Sequence, residues 1–300
     1  MVYEVYLADT GYAEPQPAAR VCDNARIPTL DTVRPFTSNK VFGRCAQRGV
    51  FGVTDPAGVI ATAVARAIEM LDNTIGELVN ARNAVCGGAT PAWPLLGDIT
   101  LDWLKNRLGV CIDDIRAWTA GTLVNKSVAE VIRRLMRVRN LIASNVITYV
   151  CNGPECDQYT WAYVIIDTTC QRTEPTIVRL CRRFWVPAPG VDPKDHAEFQ
   201  AQVIIHEASH LYHCTADERG STIGVAECLR QFVAATNGSP LDPDFNARCS
   251  VTPRCASIGV AGPLGQYSLG VAGPGSLRIV RTIFRPQNAI RIKGRPARQR

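Results

Sequence analysis

The segment Ile204–His213 reads IIHEASHLYH and contains two histidines four residues apart, His206 and His210, with Glu207 directly after the first. On a helix, residues four apart lie on one face, so both imidazoles can point at one ion. Neutral imidazole nitrogens suit Zn2+, and H-E-x-x-H is a zinc-binding pattern of metalloproteases. Glu207 lies one residue further round the helix, where it can act as a general base on a water molecule at the metal. The segment therefore predicts a hydrolytic zinc site.

A catalytic zinc site needs a third protein ligand and an open position for water. Four side chains near the motif could provide that ligand. His213 lies near the same helix face, but three ligands from one straight helix are geometrically awkward. Asp217 and Glu218 follow the predicted helix end, where a turn can bring them back, and Glu227 lies on the next predicted helix. Spacing and composition leave these alternatives open.

Apolar residues recur at helical spacing on both sides of the motif. Ser127 followed by Glu130 forms a capping-box pattern at the start of one helix, and Asn237-Gly238 is a stop signal at the end of another. The predicted helices cover residues 56–82, 99–109, 127–144, 192–213 and 222–236.

Three segments rich in Val, Ile, Thr and aromatic residues separate these helices and predict strands. They cover residues 145–151, 159–167 and 176–186. We therefore expect an α+β fold: a helix-rich, zincin-like domain with a small antiparallel sheet beside the active-site helix. A polypeptide substrate would bind in a cleft along that sheet.

The chain divides into three parts by composition. Residues 1–55 read as an irregular N-terminal extension, 56–255 as the metallopeptidase domain, and 256–300 as a Gly/Pro-rich linker and basic tail. Ten of the 33 Lys and Arg residues follow Asp244, and no Asp or Glu does. The tail is thus suited to an anionic partner. The basic residues of the predicted helix 127–144 are interpreted as its solvated face, so nucleic acid is not favoured as a partner. Residues 1–50 could act as a pro-segment.

Twelve cysteines favour an oxidising final location with several disulfides. No stretch of eighteen or more apolar residues predicts a membrane-spanning helix. The first residues lack a basic start followed by an apolar run, so the sequence predicts no secretory signal peptide. Together these features lead to the hypothesis of a secreted or exported protein, such as an effector or toxin, that uses another export route.

The motif resembles that of the aspzincin metallopeptidases, the deuterolysin and peptidyl-Lys metalloendopeptidase family. In that family H-E-x-x-H is followed by G-T-x-D-x-x-Y-G, whose aspartate is the third zinc ligand. Here HEASH is followed by CTADERGS, which keeps Thr215 and Asp217. The resemblance extends over roughly residues 56–250 and includes the Cys-bearing strands upstream. It implies a zinc-dependent endopeptidase with His206, His210 and Asp217 as ligands and Glu207 as base.

The chain also departs from the family pattern. Cys214 replaces the first Gly, and the Tyr that the family uses to stabilise the oxyanion is absent from the segment Arg219–Ser221. Two other hypotheses therefore remain open. One is a gluzincin-like peptidase with Glu227 as third ligand, and the other is a non-catalytic, zinc-stabilised module that binds a partner through its basic tail.

Overall fold

The structure is a computed structural model of the chain. It describes residues 29–43, 51–87, 95–110, 112, 118, 127–167, 176–213, 215, 225–241 and 249, and the backbone of residues 277–283. The fold is α+β and rich in helix, as the sequence predicts. The helices in these residues are α1 (Pro56–Cys86), α2 (Asp98–Asp102), α3 (Val128–Ala143), α4 (Arg182–Trp185), α5 (Pro193–His213) and α6 (Ala226–Thr236). A π-helical turn, Trp103–Arg107, continues α2 directly.

Local signals in the sequence explain the helix ends. The side chain of Asp55 accepts a hydrogen bond from the backbone N–H of Gly58 at 2.9 Å and caps α1, whose first residue is Pro56. Ser127 caps α3 in the same way through the N–H of Glu130 at 3.1 Å. Gly238, with φ +64°, follows α6 in the left-handed conformation that glycine adopts without strain.

The sheet contains five strands in the order β1-β2-β4-β3-β5. Its pairing is mixed, which corrects the expectation of an antiparallel sheet: β1 and β2 are parallel, as are β2 and β4, and β3 runs antiparallel to both β4 and β5. Parallel pairing needs a long crossover between strands, and α1 to α3 provide one between β1 and β2. The strands are β1 (Val41–Gly43), β2 (Thr148–Cys151), β3 (Thr160–Asp167), β4 (Ile177–Leu180) and β5 (Leu277–Ile283).

The third predicted strand, residues 176–186, is only partly extended. Strand β4 ends at Leu180, and Arg182–Trp185 form the short helix α4. Phe184 and Trp185 are buried there. The apolar residues of this run therefore reach the core from a helical turn. The sequence predicts a strand here because a short apolar segment has no periodicity that distinguishes a helix from a strand.

Residues from both predicted flanks contribute to the sheet. Strand β1 belongs to the expected N-terminal extension, and β5 belongs to the expected linker and tail. Upstream of β1, the side chain of Asn140 on α3 donates to the carbonyl of Thr29 at 2.7 Å and accepts from the N–H of Asp31 at 2.9 Å. The N–H of Arg34 donates to the carbonyl of Ala143 at 2.9 Å. The backbone of the segment before β1 is thus fixed along α3 by hydrogen bonds to the Asn140 side chain and to the carbonyl of Ala143.

Helix α5 lies at the centre of the fold. It packs against α1, α3, α6 and strand β3. Every residue from Gln200 to Leu211 is buried, although six of them are polar or charged. Buried polar groups need hydrogen-bond partners or a ligand. The environment of α5 thus makes its polar residues candidates for function.

All six cysteines in the described residues are disulfide-bonded, as the composition suggests. Cys156 pairs with Cys181 and joins the β2–β3 connection to the start of α4. Cys228 on α6 pairs with Cys249. Within the described ranges, no helix is long and apolar enough to cross a membrane.

Candidate zinc site

The two motif histidines lie one turn apart on α5, on the face that packs toward α6. Both are buried, with 2% of His206 and none of His210 exposed. Their rings meet edge to face at a centroid distance of 4.5 Å, and the two Nε2 atoms are 2.8 Å apart. The helix therefore brings the two imidazoles together as the spacing predicts.

The opposite nitrogen of each ring lies against an oxygen. Nδ1 of His206 lies 3.2 Å from Oε2 of Glu227 on α6. Nδ1 of His210 donates to the backbone carbonyl of Thr215 at 2.8 Å and lies 3.0 Å from the hydroxyl of the same residue. A hydrogen bond thus orients the His210 ring and a close contact with a carboxylate lies behind the His206 ring, and the two Nε2 atoms face each other.

This arrangement fits a zinc ion. Carbonyl and carboxylate oxygens accept hydrogen bonds, so they favour a proton on each Nδ1 and leave each Nε2 as a lone-pair donor. Two such lone pairs at 2.8 Å repel each other unless a cation or a second ring proton lies between them. Two nitrogens bound tetrahedrally to zinc are about 3.3 Å apart, so a shift of about 0.5 Å would admit the ion.

Glu207 follows His206 on α5 and has no exposed surface. A carboxylate in such a position is removed from bulk water, which strengthens its interaction with any proton or cation that reaches it. The structure thus places the predicted base inside the same core as the two histidines.

Glu227 is held by a second set of buried groups. Arg230 donates through Nε to both carboxylate oxygens at 3.1 Å, and Gln231 donates to Oε1 at 3.0 Å. Burial by itself raises the pKa of Glu227, but the charge of Arg230 and the contact with His206 outweigh it, so that the pKa falls to about 2. Glu227 is therefore a carboxylate at neutral pH.

Arg230 also connects α6 back to α5. Its NH1 donates to Oε1 of Gln202 at 2.5 Å, and Gln202 donates to the carbonyl of Pro240 at 2.9 Å. Sequence reasoning missed both Arg230 and Gln202. The available signal was their spacing: Gln202 lies four residues before His206, and Arg230 lies three after Glu227.

His213 is not part of the histidine pair. Its Nε2 donates to the carbonyl of Arg134 on α3 at 3.2 Å. Burial lowers the pKa of His213 to about 3, with a contribution from the charges of Arg134 and Arg137. It is thus a neutral side chain that links α5 to α3.

The candidate third ligands Asp217 and Glu218 lie outside the described residues, as does Cys214. Among the residues that are described, no group of three or more His, Cys, Asp or Glu side chains is arranged to hold a metal. The described part of the site therefore consists of the two histidines, their oxygen acceptors and Glu207.

Residues 118–231 match the model of the aspzincin family, described as lysine-specific metallo-endopeptidase. A search of curated proteins finds no match to this chain. The matched range includes β2 to β4, α5 with both motif histidines, and α6 as far as Gln231. It confirms the resemblance noted in the sequence: residues 118–231 of this chain are similar to the aspzincin family of metallo-endopeptidases.

Proposed function

We propose that the chain is a zinc-dependent endopeptidase whose metal is held by His206, His210 and Asp217. The observation that carries this proposal is the paired anchoring of the histidines. Both Nδ1 atoms contact an oxygen, and both Nε2 atoms face one point at a separation of 2.8 Å. Metal-binding histidines in proteins are oriented in this way by acceptors on their second nitrogen.

In the proposed reaction, Glu207 removes a proton from the attacking water and delivers it to the leaving amine. When bound, zinc lowers the pKa of water and polarises the peptide carbonyl. The buried position of Glu207 keeps its proton away from bulk solvent between these two transfers. His206 and His210 hold their ring orientation through Glu227 and Thr215.

Asp217 is our proposed third ligand because it occupies the place of the family's aspartate in the sequence. The geometry of Glu227 argues against the gluzincin-like alternative. Its carboxylate contacts Nδ1 of His206, on the side of the ring away from the Nε2 atom that faces His210. A carboxylate in that position supports a ligand rather than acting as one.

We propose a polypeptide as substrate and residues 56–255 as the core of the catalytic unit, with β1 and β5 extending its sheet. The disulfides support an oxidising, exported location. The basic residues after 256 suit an anionic partner of the exported protein.

The test of this function is metal-dependent proteolysis. We expect the purified chain to cleave casein, to lose cleavage after treatment with a chelator, and to regain it when one equivalent of zinc is added. His206→Ala should neither bind zinc nor cleave. An intact chain that retains zinc and cleaves nothing would contradict the proposal.

A further inference from the structure

Four buried side chains form a network between α5 and α6 that begins and ends on α5. His206 contacts Glu227, Glu227 pairs with Arg230, Arg230 donates to Gln202, and Gln202 lies one helical turn before His206 on α5. All four are at most 2% exposed. A buried ion pair that also has hydrogen bonds to neutral partners is a rigid support for the group it touches.

This network determines which nitrogen of the His206 imidazole carries a proton. Oε1 of Glu227 accepts from Arg230 and Gln231, and Oε2, which also accepts from Nε of Arg230, lies 3.2 Å from Nδ1 of His206. Because an ionised carboxylate only accepts hydrogen bonds, it favours the tautomer of His206 with its proton on Nδ1. In that tautomer the lone pair is on Nε2, the atom that faces His210.

We propose that Glu227 is a positioning residue for the zinc site: held by Arg230 and Gln202, it sets the tautomer and orientation of His206. This inference rests on the proposed function, because it assigns a purpose to Glu227 only if His206 binds the metal. It gives the polar face of α6 a role that neither the motif nor the family match assigns.

Glu227→Gln tests the inference with almost no change in volume. Oε1 accepts from Nε and Nη2 of Arg230 and from Gln231, whereas Oε2 accepts from Nε of Arg230, so the amide oxygen of a glutamine is favoured at the Oε1 position and its NH2 group will face His206. An NH2 group is a donor, and it should move the proton of His206 from Nδ1 to Nε2. We expect zinc affinity, measured by competition with a chromophoric chelator, to fall by about 10- to 100-fold.

A second variant distinguishes a loss of zinc affinity caused by misplacement of His206 from a loss caused by unfolding. Glu227→Met combined with Arg230→Met removes both charges together, and such replacements of buried ion pairs are generally tolerated. This variant lacks the acceptor for Nδ1 and should also lose about 10- to 100-fold in zinc affinity. Glu198→Gln is the matched control, since Glu198 lies on the same helix α5 and pairs with Arg66, away from His206. Its zinc affinity should stay within about twofold of the wild type.

The metal-free protein provides a readout that does not depend on zinc. Nitrogen chemical shifts of His206 at pH 8 should report a proton on Nδ1 in the wild type and on Nε2 in Glu227→Gln. Folded Glu227 variants with wild-type zinc affinity and an unchanged tautomer would overturn this inference and leave the proposed function standing. A wild-type chain that binds no zinc would overturn both.

Discussion

The backbone carbonyl of Thr215 accepts a hydrogen bond from Nδ1 of His210 at 2.8 Å. The anchor of His210 is therefore a main-chain group, while the anchor of His206 is a side chain. The Thr215 hydroxyl lies 3.0 Å from the same nitrogen and 3.2 Å from the hydroxyl of Ser209. The two histidines are held by different means, and substitutions should affect them differently.

Thr215→Val removes the hydroxyl and keeps the carbonyl. Because the carbonyl can orient His210 by itself, we expect zinc affinity to fall by less than about fivefold, within the worth of one neutral hydrogen bond. Ser209→Ala is the control, since the Ser209 hydroxyl contacts the Thr215 hydroxyl and its removal leaves both groups that contact Nδ1 of His210 in place. A loss of fiftyfold or more in Thr215→Val alone would mean that the hydroxyl, and not the carbonyl, orients the ring.

The stability of the metal-free protein should fall as the pH drops below 6.5. Burial lowers the pKa of His196, and it lowers that of His213 from 6.5 to about 3. Between these values the unfolded chain binds more protons at His213 than the folded chain does, so acid favours unfolding. Below about pH 3 both states are protonated and this contribution no longer changes.

His213→Gln isolates that effect, because its amide can still donate to the carbonyl of Arg134. Urea unfolding at pH 7.5, 6 and 5 with a chelator should show a shallower pH dependence than the wild type, by up to about 1.4 kcal/mol per pH unit. An identical slope in the two proteins would show that His213 titrates normally in the folded state.

The disulfide between Cys228 and Cys249 should stabilise the region around α6. The two cysteines are 21 residues apart, and a disulfide that closes a loop of this size stabilises by about 3 kcal/mol. We expect Cys228→Ser with Cys249→Ser to lower the free energy of unfolding by about that amount in guanidinium. Removal of Cys156–Cys181, with a separation of 25, should cost a similar amount. Unchanged midpoints under oxidising conditions would contradict the expectation.

Local signals predicted the helices and the histidine pair well. The spacing of His206 and His210 needs only one helix, and the caps at Asp55 and Ser127 need only a few neighbouring residues. The sequence could not predict the mixed sheet, because strand order depends on which distant segments pair. Strand β5 shows this: it lies more than a hundred residues from β3, its partner, in a segment that reads as a linker.

The residues that support the two histidines could not be predicted from the sequence, for a different reason. Glu227, Arg230 and Gln231 look like the solvated face of an amphipathic helix in the sequence. In the structure they are fully or almost fully buried, because that face of α6 packs against α5. Polar residues show their partners only once the two helices are placed together, so a candidate ligand such as Glu227 could not be told from a supporting residue.

The most direct test of the account measures zinc per chain and casein hydrolysis together in the wild type, Glu207→Gln and Asp217→Ala. Glu207 is proposed to move protons and not to bind the metal, so Glu207→Gln should keep about one zinc per chain and lose hydrolysis by at least about a hundredfold. Asp217→Ala should lose both. Glu207→Gln with wild-type hydrolysis, or Asp217→Ala with full zinc and full activity, would contradict the account.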